Sequence, residues 1–149
     1  MNLFDAATAQ EVENRVASLT PESKREWGKM SVSQTVAHCS LAIEMALGEK
    51  NPPRVFIGRI LGPVVKKLAL GNDEPMRKNS PTAPSLIVSD DRDLEAEKVR
   101  LIGLISRFSK GGSAVCTSHP HAFFGKLTPE QWSELMYKHL DHHLRQFGA

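Results

Sequence analysis

His139 and His143 stand four residues apart in the run Lys138-His139-Leu140-Asp141-His142-His143-Leu144-Arg145-Gln146-Phe147. Residues i and i+4 share a helical face, so both imidazoles can aim at one point. At about 100° per residue, with His139 as origin, Trp132, Leu135, Met136, Leu140, Leu144 and Phe147 centre near +60°. His143 falls among them at about +40°, and His142 lies at the edge, at about −60°. The better inward pair is therefore His139 and His143, with His139 and His142 as runner-up. A third imidazole, His38, lies in Gln34-Thr35-Val36-Ala37-His38-Cys39-Ser40-Leu41-Ala42. On the wheel it sits among Gln34, Leu41, Ala42 and Met45, a buried face. Buried imidazoles need partners. Three neutral ones on two helices suit one divalent ion with coordination positions left open for chemistry. The plainer alternative is a set of hydrogen-bonded core histidines, or helix-end histidines that favour the dipole when protonated.

Other residues bear on the same chemistry. Gln34, one turn before His38, is a candidate pocket or supporting residue. His121, in Ser118-His119-Pro120-His121-Ala122-Phe123-Phe124-Gly125, can stand at the mouth of the site as a proton donor. The competing role for that stretch is a turn fixed onto the helices by its Pro, Gly and Phe residues. Asp141 and Glu44 point away from the proposed centre, so no carboxylate ligand is expected. Arg54, Arg59, Lys66 and Lys67 give one segment a basic rim, read as a solvated face. Gly111-Gly112 follows a helix rather than opening one, which argues against a phosphate cradle.

The elements that must position these residues are almost all helical in period. A first helix spans about 5–19. Thr20-Pro21-Glu22 reads as a new helical start carrying the chain to Trp27. Ser31-Val32-Ser33-Gln34 is a capping box opening a helix to about Leu47. Residues 55–70 form an apolar helix that Gly62-Pro63 must kink or split. Residues 71–90 read as a long loop, of the kind that is often functional, with Leu86-Ile87-Val88 as a short extended piece. A helix over about 92–109 has Leu94, Leu101, Ile102, Ile105 and Phe108 as its core face, and Glu95, Glu97, Lys98 and Arg100 as its wet face. After a loop over about 113–127, Thr128-Pro129-Glu130-Gln131 opens the last helix, which runs to about Phe147. The expected architecture is all-α: one four-helix-bundle domain with an extra kinked helix between the second and third long helices.

The 149 residues are 40% hydrophobic and 24% charged, with a formal charge of +2. These values suit a globular domain and give no electrostatic footprint for nucleic acid. Cys39 and Cys116 form no metal or redox pair, and buried free thiols fit a reducing compartment. Met1-Asn2-Leu3-Phe4-Asp5 lacks the basic start and apolar run of a signal peptide. No stretch reaches the ~18 apolar residues of a span. A cytoplasmic protein without nucleic-acid or membrane partners is expected.

Trp27-Gly28-Lys29-Met30-Ser31-Val32-Ser33-Gln34-Thr35-Val36-Ala37-His38 resembles the opening of the second helix in the DinB/YfiT-like superfamily. His139-x-x-x-His143 followed by Gln146 resembles its His-x-x-x-His-x-x-Gln on the fourth helix. The stretch from His119 to Thr128 looks like an uncharacterised branch of that superfamily. The resemblance implies an antiparallel four-helix bundle, often a homodimer, that holds one divalent ion through His38, His139 and His143, with zinc or nickel the usual occupants. It also implies either a metal-dependent hydrolase or a transferase using a low-molecular-weight thiol or another small molecule. The alternative is a non-catalytic dimeric stress-response or interaction module with a structural or vestigial metal site. His142 is an addition to the plain pattern.

Overall fold

A computed structural model describes residues 1–72, 74–80 and 83–149 of the chain. Among them are five α-helices and no strand: α1 (Ala6–Ser18), α2 (Val32–Ala46), α3 (Phe56–Ala69), α4 (Leu94–Gly111) and α5 (Pro129–Arg145). Short 3₁₀ turns follow at Pro84–Leu86 and Gly112–Val115. Local chemistry sets the helix starts. The Asp5 carboxylate accepts from the Thr8 amide at 2.8 Å and opens α1. Ser31 with Gln34, and Thr128 with Gln131, form complete capping boxes on α2 and α5, satisfying amides that have no partner within the helix.

Four helices share one core. α1 and α2 each pack against both α4 and α5. Val12 and Val16 of α1, Ile43 of α2, Leu101, Ile105 and Phe108 of α4, and Trp132 and Leu140 of α5 are almost wholly removed from solvent. Non-directional burial of this apolar set drives the packing.

The expected boundaries of the long helices hold to within two residues, and three other expectations need correction. Residues 20–27 form turns rather than a helix. Ser23 returns its amide to the Thr20 carbonyl, and the Glu26 amide donates to the Gln146 carbonyl at 2.9 Å. A short segment between Pro21 and Gly28 with Trp27 as its one large apolar residue has no face to bury, and helix nucleation is then too costly. Leu86 belongs to a 3₁₀ turn, and Ile87 is extended without a strand partner. On α4, Glu97 and Lys98 are buried rather than wet. The Lys98 ammonium donates to the Leu19 carbonyl at 2.9 Å. Arg100 bridges Glu97 on its own helix and Glu44 on α2. The Leu19 carbonyl for Lys98, and the Arg92 and Arg100 guanidinium groups for Glu97, supply partners that override the polar pattern there.

α3 runs through Pro63 as one helix. It seats through glycines: a Cβ added at Gly58 or Gly62 would lie 2.7 or 2.3 Å from backbone atoms of Phe123. Only glycine permits that approach.

Candidate metal centre

α2 and α5 bring His38, His139 and His143 together. Their ring centroids form a near-equilateral triangle with sides of 4.8, 4.7 and 4.7 Å. One ring nitrogen from each lies within 4.8 Å of the other two. His38 is 2% exposed, while the other two residues keep some contact with solvent.

Hydrogen-bond partners fix which nitrogen faces inward. The His38 Nδ1–H donates to the Leu86 carbonyl at 2.8 Å, because a carbonyl can only accept. The Gln146 side-chain amide donates to the Trp27 carbonyl through Nε2. Its Oε1 is thereby turned to accept from His143 Nδ1–H at 2.9 Å. In both rings Nε2 is left with its lone pair. Orientation of an imidazole through its far nitrogen is how ligating histidines are generally held. His38 Nε2 and His139 Nε2 lie 2.9 Å apart. Two nitrogens bound to one ion at ~2.1 Å are about 3.0 Å apart at a right angle and about 3.4 Å apart at the tetrahedral angle, so this pair needs to open by at most about 0.5 Å to share an ion. Among the described residues, the buried His139 Nδ1 has no partner.

Electrostatics favour neutral, ligand-competent rings. Burial pushes His38 below the ordinary histidine range. Burial, then the neighbouring His143 and His38, hold His139 well below it. Burial and His38 bring His143 down to about 3. Among the described residues, no carboxylate is a cause of the shift on any of the three rings. Asp141 is engaged by Arg15 at 2.9 Å and Arg145 at 2.8 Å, and Glu44 by Arg100 and Lys50. Both face away from the rings, as the wheel implies.

The other expected residues lie around this triangle. His142 leaves it: its ring packs on Trp27, with centroids 5.6 Å apart. Gln34 has both ends of its amide engaged, Oε1 in the capping box and Nε2 with the Asp90 carbonyl at 3.3 Å. His121 organises a turn. Its Nδ1 accepts from the amides of Phe123 and Phe124, each at 3.1 Å. Its backbone pairs with Gly125, whose φ of +77° suits glycine. Of the expected 71–90 loop, Asp73, Pro81 and Thr82 lie outside the described residues; among the rest, the Leu86 carbonyl reaches His38 and the Lys78 ammonium lies 4.0 Å over the Trp27 ring. The orienting role of Leu86 could not be found from residue types, since it is a backbone oxygen. That of Gln146 was signalled only by its three-residue spacing from His143.

His121 carries a pH prediction. Burial, with Arg54 nearby, lowers its imidazole to about 4, from an ordinary 6.5. A depressed folded-state value contributes stability that is complete above pH 6.5 and lost as the pH falls toward 4. The melting temperature should drop across that window, and less steeply in His121→Asn, whose Oδ1 can still accept the two amides. His121→Ala leaves those amides unpaired and should cost about 1–3 kcal/mol at neutral pH. Thermal melts across a pH series check both; identical slopes for wild type and His121→Asn would refute the assignment.

Comparison with protein families matches residues 3–149 to the family described as "Protein of unknown function (DUF1569)". The chain belongs to the DUF1569 family. No curated protein and no solved structure matches it. The DUF1569 match covers α1 to α5, and with them every residue of the three-histidine cluster. No helix of this DUF1569 protein, among the described residues, is long and apolar enough to cross a membrane.

Proposed function

We propose that this DUF1569 protein is a divalent-metal protein of DinB-like architecture. In this reading α1, α2, α4 and α5 form an antiparallel four-helix bundle, and His38, His139 and His143 are the protein ligands. The observation that carries it is the convergence of three imidazoles, two of them with Nδ1–H committed elsewhere and Nε2 turned to the common centre. The unpaired His139 Nδ1 and the uncompensated burial make the cluster costly as a packing device alone. All-nitrogen donors of this type suit zinc or nickel. A held ion would supply Lewis-acid chemistry to a small molecule, such as a low-molecular-weight thiol, or to hydrolysis at its remaining positions. The chain's own part is to keep the rings neutral and to aim them through Leu86 and Gln146.

A purely structural ion is the second reading. The small cavity that reaches His143, about 10 Å³, is otherwise lined mostly by apolar core residues such as Val16, Leu101 and Leu140 and offers no room for a substrate. Chelation separates the two readings. A large fall in melting temperature without any activity toward thiol or ester substrates favours the structural role.

Metal content tests the site itself. Tag-free protein purified without added metal should carry about one ion per chain by plasma mass spectrometry, as a three-histidine site requires. His38→Ala should carry none while keeping its helical circular dichroism. Undiminished metal in His38→Ala would sink the ligand assignment.

A further inference from the structure

α3 carries an unpartnered apolar face. Phe56, Ile57, Ile60, Leu61, Val64 and Leu68 are 46–78% exposed. At ~100° per residue these six occupy an arc of about 140° on one side of the helix. Gly58 and Gly62 fall roughly opposite its centre, pressed against the backbone of Phe123. The glycine seat therefore fixes the helix with its apolar side outward. Of the basic rim expected from the sequence, Lys67 falls within this arc, while Arg59 and Lys66 fall about 60–80° outside it. A contiguous patch of six large side chains exceeds what a monomer commonly leaves to water.

Charge decides between occupants. Residues 50–72 contain Lys50, Arg54, Arg59, Lys66 and Lys67 and no Asp or Glu. The Lys66 ammonium donates to the Lys126 carbonyl. A two-fold pairing of α3 with itself would bring two basic segments together and place Lys67 within the paired face, with no acid on the helix to offset it. An anionic lipid surface complements both features: acyl chains for the apolar face, and headgroups for Lys67, whose stem lies within the apolar arc, with the acid-free positive charge of the segment adding attraction. Fourteen residues make a helix about 21 Å long, too short to span a bilayer yet suited to lie in its interface.

We propose that α3 docks this protein onto the surface of anionic membranes, in-plane and without spanning. The inference stands apart from the histidine cluster, so either can fail alone. The test is flotation of the full-length protein with phosphatidylcholine vesicles, with or without phosphatidylserine, alongside sedimentation velocity in the absence of lipid. Wild type should float with the phosphatidylserine vesicles, poorly with phosphatidylcholine alone, and less as salt rises. Phe56→Ser/Leu68→Ser should weaken flotation at least ~10-fold through lost apolar burial. Lys66→Glu/Lys67→Glu should weaken it by about 10-fold or more through headgroup repulsion. All the replaced side chains lie outside the buried core, and unchanged melting temperatures will confirm that the variants fold. Absence of flotation with phosphatidylserine vesicles overturns the proposal. So does a wild-type dimer that Phe56→Ser/Leu68→Ser converts to monomer without any lipid binding, which would assign the face to a second copy.

Discussion

Replacing His139 by Leu is expected to leave the metal-free protein at least as stable as wild type while abolishing its stabilisation by metal. The two halves have separate causes. Without an ion, and among the described residues, the ring's hydrogen bond is the 2.9 Å contact with His38 Nε2, and its buried Nδ1 has no partner. Burial and two neighbouring imidazoles disfavour its protonated form. Leucine fills similar volume without a polar atom to desolvate. The loss of one weak acceptor contact on His38 offsets part of that gain, so the metal-free difference should lie within about 1 kcal/mol or favour the variant. With an ion, the balance reverses. A ligand that binds only the folded chain stabilises it by about 2.7 kcal/mol at 100 times its dissociation constant. A chain with two imidazoles in place of three should lose nearly all of that. Melts in chelator, then with zinc or nickel added, give both numbers. An equal metal-induced rise in His139→Leu, or a several-kcal/mol loss in its metal-free form, would show that the ring serves packing rather than ligation.

That opposition between stability and binding also explains how the site could be read from the sequence. Histidines at i and i+4 on a strongly apolar helix face break the local rule that buried positions are apolar, and such breaks tend to mark function. The face of α5 was legible because its period is regular and its capping box unambiguous, and the wheel ranked His143 ahead of His142 without excluding the latter. The long helices of the core were legible for the same reason. What failed was whatever depends on tertiary partners. Gln34 has a helical address beside His38, yet its amide is engaged at the helix start and at Asp90. Lys98 looks solvated by its charge and is buried against the Leu19 carbonyl. The 20–27 segment has a good start signal and nothing to pack. The exposure of α3 was hidden most deeply: an amphipathic pattern says that one face is apolar, not that the molecule covers it.

Trp132→Ala is expected to be among the most destabilising single substitutions in the chain, at about 3–5 kcal/mol, and Trp132→Phe to cost less than about 1.5 kcal/mol. The indole is 2% exposed and lies 5.5 Å from the His121 ring. It thus links α5 to the turn on which α3 rests. Alanine would leave a cavity beneath that turn which neither the α5 backbone nor the paired strand-like bridge of His121 and Gly125 can collapse to fill. Phenylalanine keeps most of the packing, and the lost N–H costs little because Nε1 has no acceptor among the described residues. Denaturant midpoints for the three proteins check the order. The metal centre gives the discriminating readout. Trp132 is one heptad before His139, about 20° away on the same face of α5, yet His139 is placed by the helix backbone and by the other two rings rather than by the indole. Under conditions where Trp132→Ala is still folded, its metal affinity should therefore stay within about tenfold of wild type, a difference of 1.4 kcal/mol. If affinity instead fell in step with stability, the cluster would be positioned by the general core, and the separate orienting roles of Leu86 and Gln146 would have to be abandoned.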